Sequence, residues 1–263
     1  MDLMRVGRLG RRFLSRARSY KELHEITSRR EMLAWSKKGR LDFLNGSALR
    51  AKVVQGLVEK GQCSVFVETG TSHAATAIGV RRFLRIPVWS CEINRKDYLI
   101  SRCVTAGISD ISLFNVDSRE FLKQAIPKLK AEGLIPIIYL DAHEGELDRN
   151  SLPLADEIRI ILELSSFVVV IDDFRVPSAD GFRWGTYGGI DVDLALIQDQ
   201  LKSANITTCY FPNYASSSDT GYASGYCVFW RNQALDREVG EGNFPFDLLK
   251  AFHLLPDTTI PAK

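Results

Sequence analysis

The stretch Ser64-Val65-Phe66-Val67-Glu68-Thr69-Gly70-Thr71-Ser72-His73-Ala74 decides how this chain is read. It starts as a short β-branched, apolar run and turns at a glycine among small residues. It then enters 74–84, where apolar side chains recur at helical spacing. The same alternation repeats downstream. Residues 64–68, 87–92, 111–115, 135–141 and 167–172 are predicted strands, separated by predicted helices at 74–84, 97–106, 119–130 and 153–164. Short β-rich runs alternating with longer helical patterns specify a parallel sheet with crossover helices.

Two later β-like runs, 205–212 and 225–230, have no helix between them. The turn-forming Asn213-Tyr214-Ala215-Ser216-Ser217-Ser218-Asp219-Thr220-Gly221 joins them, so an antiparallel pair at one sheet edge is expected. A helix is predicted over 190–203, and the Gly and Pro residues after Val239 mark a tail packed on the surface. Residues 1–60 read as an N-terminal helical arm or cap and 61–263 as the main domain. A chain of 263 residues, 45% hydrophobic and 25% charged, suits one globular α/β core of this kind.

The formal net charge is only +2, yet the first forty residues carry twelve Lys or Arg against four acids. Such an arm is either a solvated helix face or a contact for anions; nucleic acid is not the expected partner. It lacks the apolar stretch of a secretory signal. The cysteines (Cys63, Cys91, Cys103, Cys209, Cys227) are scattered, without metal-ligand spacing, and read as reduced thiols. No apolar run has the length of a membrane span. A soluble, cytoplasmic protein is expected. A homo-oligomer stays open, because Phe244, Phe246 and Phe252 can pack on the domain or on a partner.

In an open α/β sheet, ligands bind beyond the carboxyl ends of the strands. The first such turn has Gly70 for tight backbone curvature and the small Ser72 and Ala74, which let a ligand approach. The dinucleotide pattern G-x-G-x-x-G is absent. Glu68, just before the glycine, suits a ligand bearing positive charge or hydroxyls better than a pyrophosphate, which it would repel. Glu92 closes the second strand, where a carboxylate can accept both hydroxyls of a ribose. Asp117 follows the third strand, placed for an adenine amino group, and Ser118 beside it is a ligand contact or a helix cap.

With these residues in place, the segment from Ser64 to Asn232 resembles the class I S-adenosylmethionine-dependent methyltransferases. The resemblance implies a Rossmann-like, doubly wound, seven-stranded, mostly parallel sheet with an antiparallel last strand. It implies Glu68, Gly70, Thr71, Ser72, Glu92, Asp117 and Ser118 as contacts to S-adenosylmethionine. The chain departs from the family loop in one respect: its second and third glycines are Ser72 and Ala74.

A second group of acids follows strands four and five, in Tyr139-Leu140-Asp141-Ala142-His143 and Ile171-Asp172-Asp173-Phe174. Carboxylates crowded at neighbouring strand ends need a cation or a proton between them, and oxygen ligands favour Mg²⁺ or a similar divalent ion. Asp141, Asp172 and Asp173 resemble the triad of metal-dependent O-methyltransferases acting on macrolide-type sugars and on catechols. A metal held there would bind and activate the acceptor hydroxyl, and Asp141 and His143 are the candidate catalytic residues. His143 is a general base, a further ligand or a structural hydrogen-bonder.

Residues 175–189 form a long segment with glycines, the aromatics Phe182, Trp184 and Tyr187, and Arg175 and Arg183. It is either an acceptor-binding lid or an anchored surface loop. The function read from these motifs is methyl transfer to a hydroxyl of a small polar acceptor, a sugar or natural product. The alternatives are a metal-independent methyltransferase and a nucleotide-binding module without turnover. A hydrolase lacks its G-x-S-x-G elbow here, and a dehydrogenase lacks both the glycine pattern and a Tyr-x-x-x-Lys pair.

Overall fold

The computed structural model describes residues 43–142, 152–179, 181–242 and 247–254. Strands β1 (Val65–Thr69), β4 (Pro136–Leu140) and β5 (Phe167–Ile171) are buried along their whole length. That is why they read as unbroken apolar runs rather than alternating ones: helices cover both faces of the sheet. Successive side chains still point to opposite faces. Phe66, Ile137, Tyr139, Val168 and Val170 pack with Val53, Val54 and Leu57 of α1 (Ala48–Lys60) and with Ala77 and Val80 of α2 (Ala75–Phe83). Val65, Val67, Ile138, Leu140, Val169 and Ile171 pack on the other face with α4 (Ser118–Glu132) and α5 (Leu154–Ile161).

With β2 (Val88–Cys91) and β3 (Ile111–Phe114), these strands form a parallel block, and α3 (Arg95–Thr105) connects the latter two. With β8 (Thr208–Pro212), β9 (Cys227–Arg231) and β10 (Leu249–His253) the full order is β10-β8-β9-β5-β4-β1-β2-β3. The crossovers reverse direction between β1 and β4, which makes their carboxyl ends the topological switch point of a Rossmann-like fold.

The expected antiparallel pair is present as β8 (Thr208–Pro212) and β9 (Cys227–Arg231), with β9 running antiparallel to β5. Among the described residues the sheet has eight strands where seven were expected. The tail supplies the extra one, β10 (Leu249–His253), which pairs antiparallel with β8 and leaves most of its side chains exposed. Between β5 and β8 the predicted helix over 190–203 is shorter. Gly188 (φ 56°) and Gly189 (φ 78°) turn a hairpin of β6 (Thr186–Tyr187) and β7 (Ile190–Asp191), because a two-residue loop with both φ positive matches the strand twist. Only α6 (Gln198–Ser203) remains of the helix, after a 3₁₀ turn at Leu194–Leu196. After β9 comes α7 (Gln233–Gly240). No described helix is long and apolar enough to cross a membrane.

Candidate functional site

A cavity of about 480 Å³ opens at the carboxyl ends of β1 to β4. Of the residues singled out in the sequence it gathers Gly70, Ser72, Glu92, Asp117, Ser118 and Asp141. Gly70 has φ 82°, and its amide and that of Thr71 donate to the Cys91 carbonyl at 3.0 and 2.9 Å, drawing the loop over the end of β2. A Cβ at Gly70 would stand 2.2 Å from the Asp141 carbonyl oxygen. Both the φ and the close approach therefore require glycine. Gly70→Ala is expected to lose about 1–3 kcal/mol of stability and to weaken ligand binding, measurable by denaturant melts and by titration. Ser72 (φ 45°) and Ala74 (φ 61°) also hold left-handed backbone. The loop thus holds glycine-like geometry at two non-glycine positions, at a cost in strain.

Glu92 is fixed before any ligand arrives. Its Oε2 accepts from the Ser72 amide at 2.9 Å and its Oε1 from the Asn94 amide at 2.8 Å, so the carboxylate joins the β1 and β2 loops. Asp117 caps α4 by accepting from the Arg119 amide at 2.9 Å and is clasped by the Arg119 guanidinium at 3.0 and 2.9 Å. These hydrogen bonds hold its carboxyl below the ordinary range.

Glu68 and Thr71 are placed behind the cavity wall, 2% and 4% exposed. Ser90 Oγ donates to Glu68 at 2.5 Å and shares a 2.5 Å hydrogen bond with Thr71 Oγ1, so the three support the loop from below. Burial raises the Glu68 carboxyl to about 8, with the Glu92 charge adding to the rise. The wall also includes Ile93, Asn94, Asp97, Val116, Arg119, Ala142 and Pro153, which motif reading passed over. Most of them adjoin a residue it had chosen, and that adjacency was the available signal.

The expected metal triad does not form. Among the described residues no three His, Cys, Asp or Glu side chains gather as metal ligands. Asp172 is 1% exposed and already has a cation: Arg50 of α1, at 2.6 Å and 1% exposed. Its Oδ1 also accepts from the Asp173 amide (2.7 Å) and Ser224 Oγ (3.0 Å), and its Oδ2 from Tyr139 Oη (2.5 Å) and Asn45 Nδ2 (2.9 Å). A carboxylate has about four acceptor sites, and these donors fill them. Burial would push the Asp172 carboxyl up; the Arg50 guanidinium and the surrounding hydrogen bonds outweigh it and hold it below the usual range. A divalent ion does not fit this donor set. Asp173 has a left-handed backbone (φ 48°), and its carbonyl accepts from the Gly185 amide, tying β5 to the segment that follows. His143 lies outside the described residues.

In that segment Phe182 is 5% exposed and packs edge-on against Tyr214, so it belongs to the core. Arg175 pairs with Asp191 at 2.9 Å and lies over the Trp184 ring, and Arg183 lies over Tyr222. Trp184 and Tyr222 are 41% and 50% exposed, and neither lines the strand-end cavity.

No family model and no curated protein matches the sequence. Among solved structures, an O-methyltransferase from Bacillus cereus in complex with SAH is 17% identical with a TM-score of 0.48, covering 76% of this chain and 89% of its own. A SAM-dependent methyltransferase from Aquifex aeolicus is 8% identical with a TM-score of 0.45, covering 78% and 97%. Identities and scores this low leave the function to be read from the site's own residues.

Proposed function

We propose that this chain binds S-adenosylmethionine in the strand-end cavity and transfers its methyl group to a hydroxyl of a small polar acceptor. The observation that carries this reading is the charge of the wall: Glu92, Asp97, Asp117 and Asp141 face the cavity against Arg119, which is itself bound to Asp117. Such a wall repels phosphate. It suits a ligand with a positive centre, hydroxyls and an amine.

Glu92, held by two backbone amides, lines the cavity as a fixed carboxylate of the kind that accepts a vicinal pair of hydroxyls. Asp117 and Ser118 face the base, beside the apolar Ile93 and Val116. The bound sulfonium supplies an electrophilic methyl, which the acceptor oxygen takes as the carbon–sulfur bond breaks toward sulfur. Asp141, at the switch point, orients the acceptor hydroxyl and takes its proton, which passes on to solvent. This mechanism needs no metal at Asp172, whose carboxylate is already paired with Arg50.

Calorimetric titration with S-adenosylhomocysteine, with NAD as control, tests the reading. Binding of the first alone is expected, with Glu92→Ala weakening it about tenfold to a hundredfold through loss of charge-assisted hydrogen bonds. Absence of binding to the wild-type protein would remove the methyltransferase reading.

A further inference from the structure

Behind the wall, in the first turn of α5, lies a carboxyl group that the proposed chemistry does not use. Glu157 is 0% exposed, and neither of its oxygens has a hydrogen-bond partner of ordinary geometry among the described residues. An uncompensated buried carboxyl is costly, and a site that keeps one commonly has a use for it. The hydroxyls of Ser118 and Thr69 stand beside it. Ser118 lines the cavity. Thr69 Oγ1 lies 3.4 Å from the Asp141 amide and accepts from it, so the hydroxyl hydrogen of Thr69 is directed elsewhere. Glu157 is the acceptor beside it.

We propose that Glu157 is a positioning residue of the cavity: from behind the wall it accepts the hydroxyl hydrogens of Ser118 and Thr69. Ser118 then turns a lone pair inward and selects an amino-substituted purine over an oxo-substituted one. This rests on the S-adenosylmethionine reading and deepens it. With the Ser118 hydrogen committed to Glu157 and the Asp117 carboxylate beside it, that wall offers acceptors. An amine donates to them; a carbonyl oxygen is repelled.

The state of Glu157 matters, because its ionised form accepts from both hydroxyls at once while the protonated form must itself donate. Burial raises its carboxyl to about 7, against the Ser118 and Thr69 hydroxyls, with Asp117 raising and Arg119 lowering it. Cys91 on β2 is pushed well up by burial, Asp117 is held down, and Arg119 is held up by its hydrogen bond to Asp117. Glu68 titrates at about 8 beside Ser90, on the opposite face of the sheet from Glu157. An amine bound at Ser118 favours the ionised form, so affinity should rise with pH through 7.

The experiment compares S-adenosylhomocysteine with S-inosylhomocysteine by calorimetry between pH 5.5 and 7.5, in wild type, Glu157→Gln and Ser118→Ala. The wild-type protein is expected to prefer the amino base by about tenfold and to bind it several-fold tighter at the upper pH, on the scale of one hydrogen bond. Glu157→Gln keeps the volume and cannot ionise, so both the preference and the pH slope should shrink toward nothing. Ser118→Ala should lose them as well, and it carries the test if Glu157→Gln fails to fold. A wild-type protein that binds neither compound would sink the cofactor reading itself. Binding with preference and slope unchanged in the folded variants would overturn the role of Glu157 alone.

Discussion

Arg50→Met is expected to lose about 3–5 kcal/mol of stability, the range for breaking one side of a buried ion pair. The guanidinium is 1% exposed; it donates to Asp172 at 2.6 Å, to Tyr139 Oη at 2.9 Å, and to the Ser224 carbonyl and hydroxyl at 2.7 Å each, while lying over the Tyr226 ring. Methionine keeps most of the volume but leaves Asp172 charged in the core. Chemical denaturation would measure the loss, and a loss below about 1 kcal/mol would show that water reaches Asp172 in the variant. Adding Asp172→Leu should recover part of the deficit, since removing both charges removes the desolvation cost. The pH dependence follows from the depressed Asp172 carboxyl. The contribution of the pair is fully present above the ordinary value of 3.8 and is lost as pH falls through the lower folded value. With Asp172 saturated by these donors, millimolar Mn²⁺ should leave the wild-type melting temperature unchanged.

The same network explains what the sequence could and could not disclose. Glu92 and Asp141 were legible because each directly follows a strand, and Asp117 because it stands three residues after one; an apolar run marks its own end. Asp172 follows a strand just as clearly, yet its role depends on Arg50, 122 residues earlier and on a helix that precedes the sheet. Nothing local pairs one base among many with that acid. Three aspartates at two neighbouring strand ends therefore read as a metal site when one of them was already neutralised.

Glu157 was hidden for a different reason. Helical periodicity places Leu154, Ile158 and Ile161 on the buried face, and an acid among them looks like part of the solvated face. Its burial follows from how α5 settles against the Ser118 turn. The β10 strand was obscured because an edge strand with exposed side chains carries little alternation. The Gly188-Gly189 pair, in contrast, was readable as a hairpin turn, and the helical spacing that follows it masked the signal.

Asp141→Asn is expected to lower kcat by about 10² to 10⁴, the range for removing a general base, while affinity for S-adenosylhomocysteine stays within a few-fold. The two effects separate because of where the residue sits. Its amide donates to the Thr69 carbonyl at 3.1 Å, and its carbonyl lies against Gly70, so the backbone belongs to the cavity wall whatever the side chain is. Asparagine preserves those contacts and the side-chain volume, and removes only the capacity to take a proton. The neighbouring acids do not replace it. Asp172 is saturated and held ionised by Arg50, and Asp117 is clasped by Arg119 away from the β4 end. A variant that loses kcat and cofactor affinity together would mark Asp141 as a binding group. One that keeps kcat would assign the proton to a group other than Asp141.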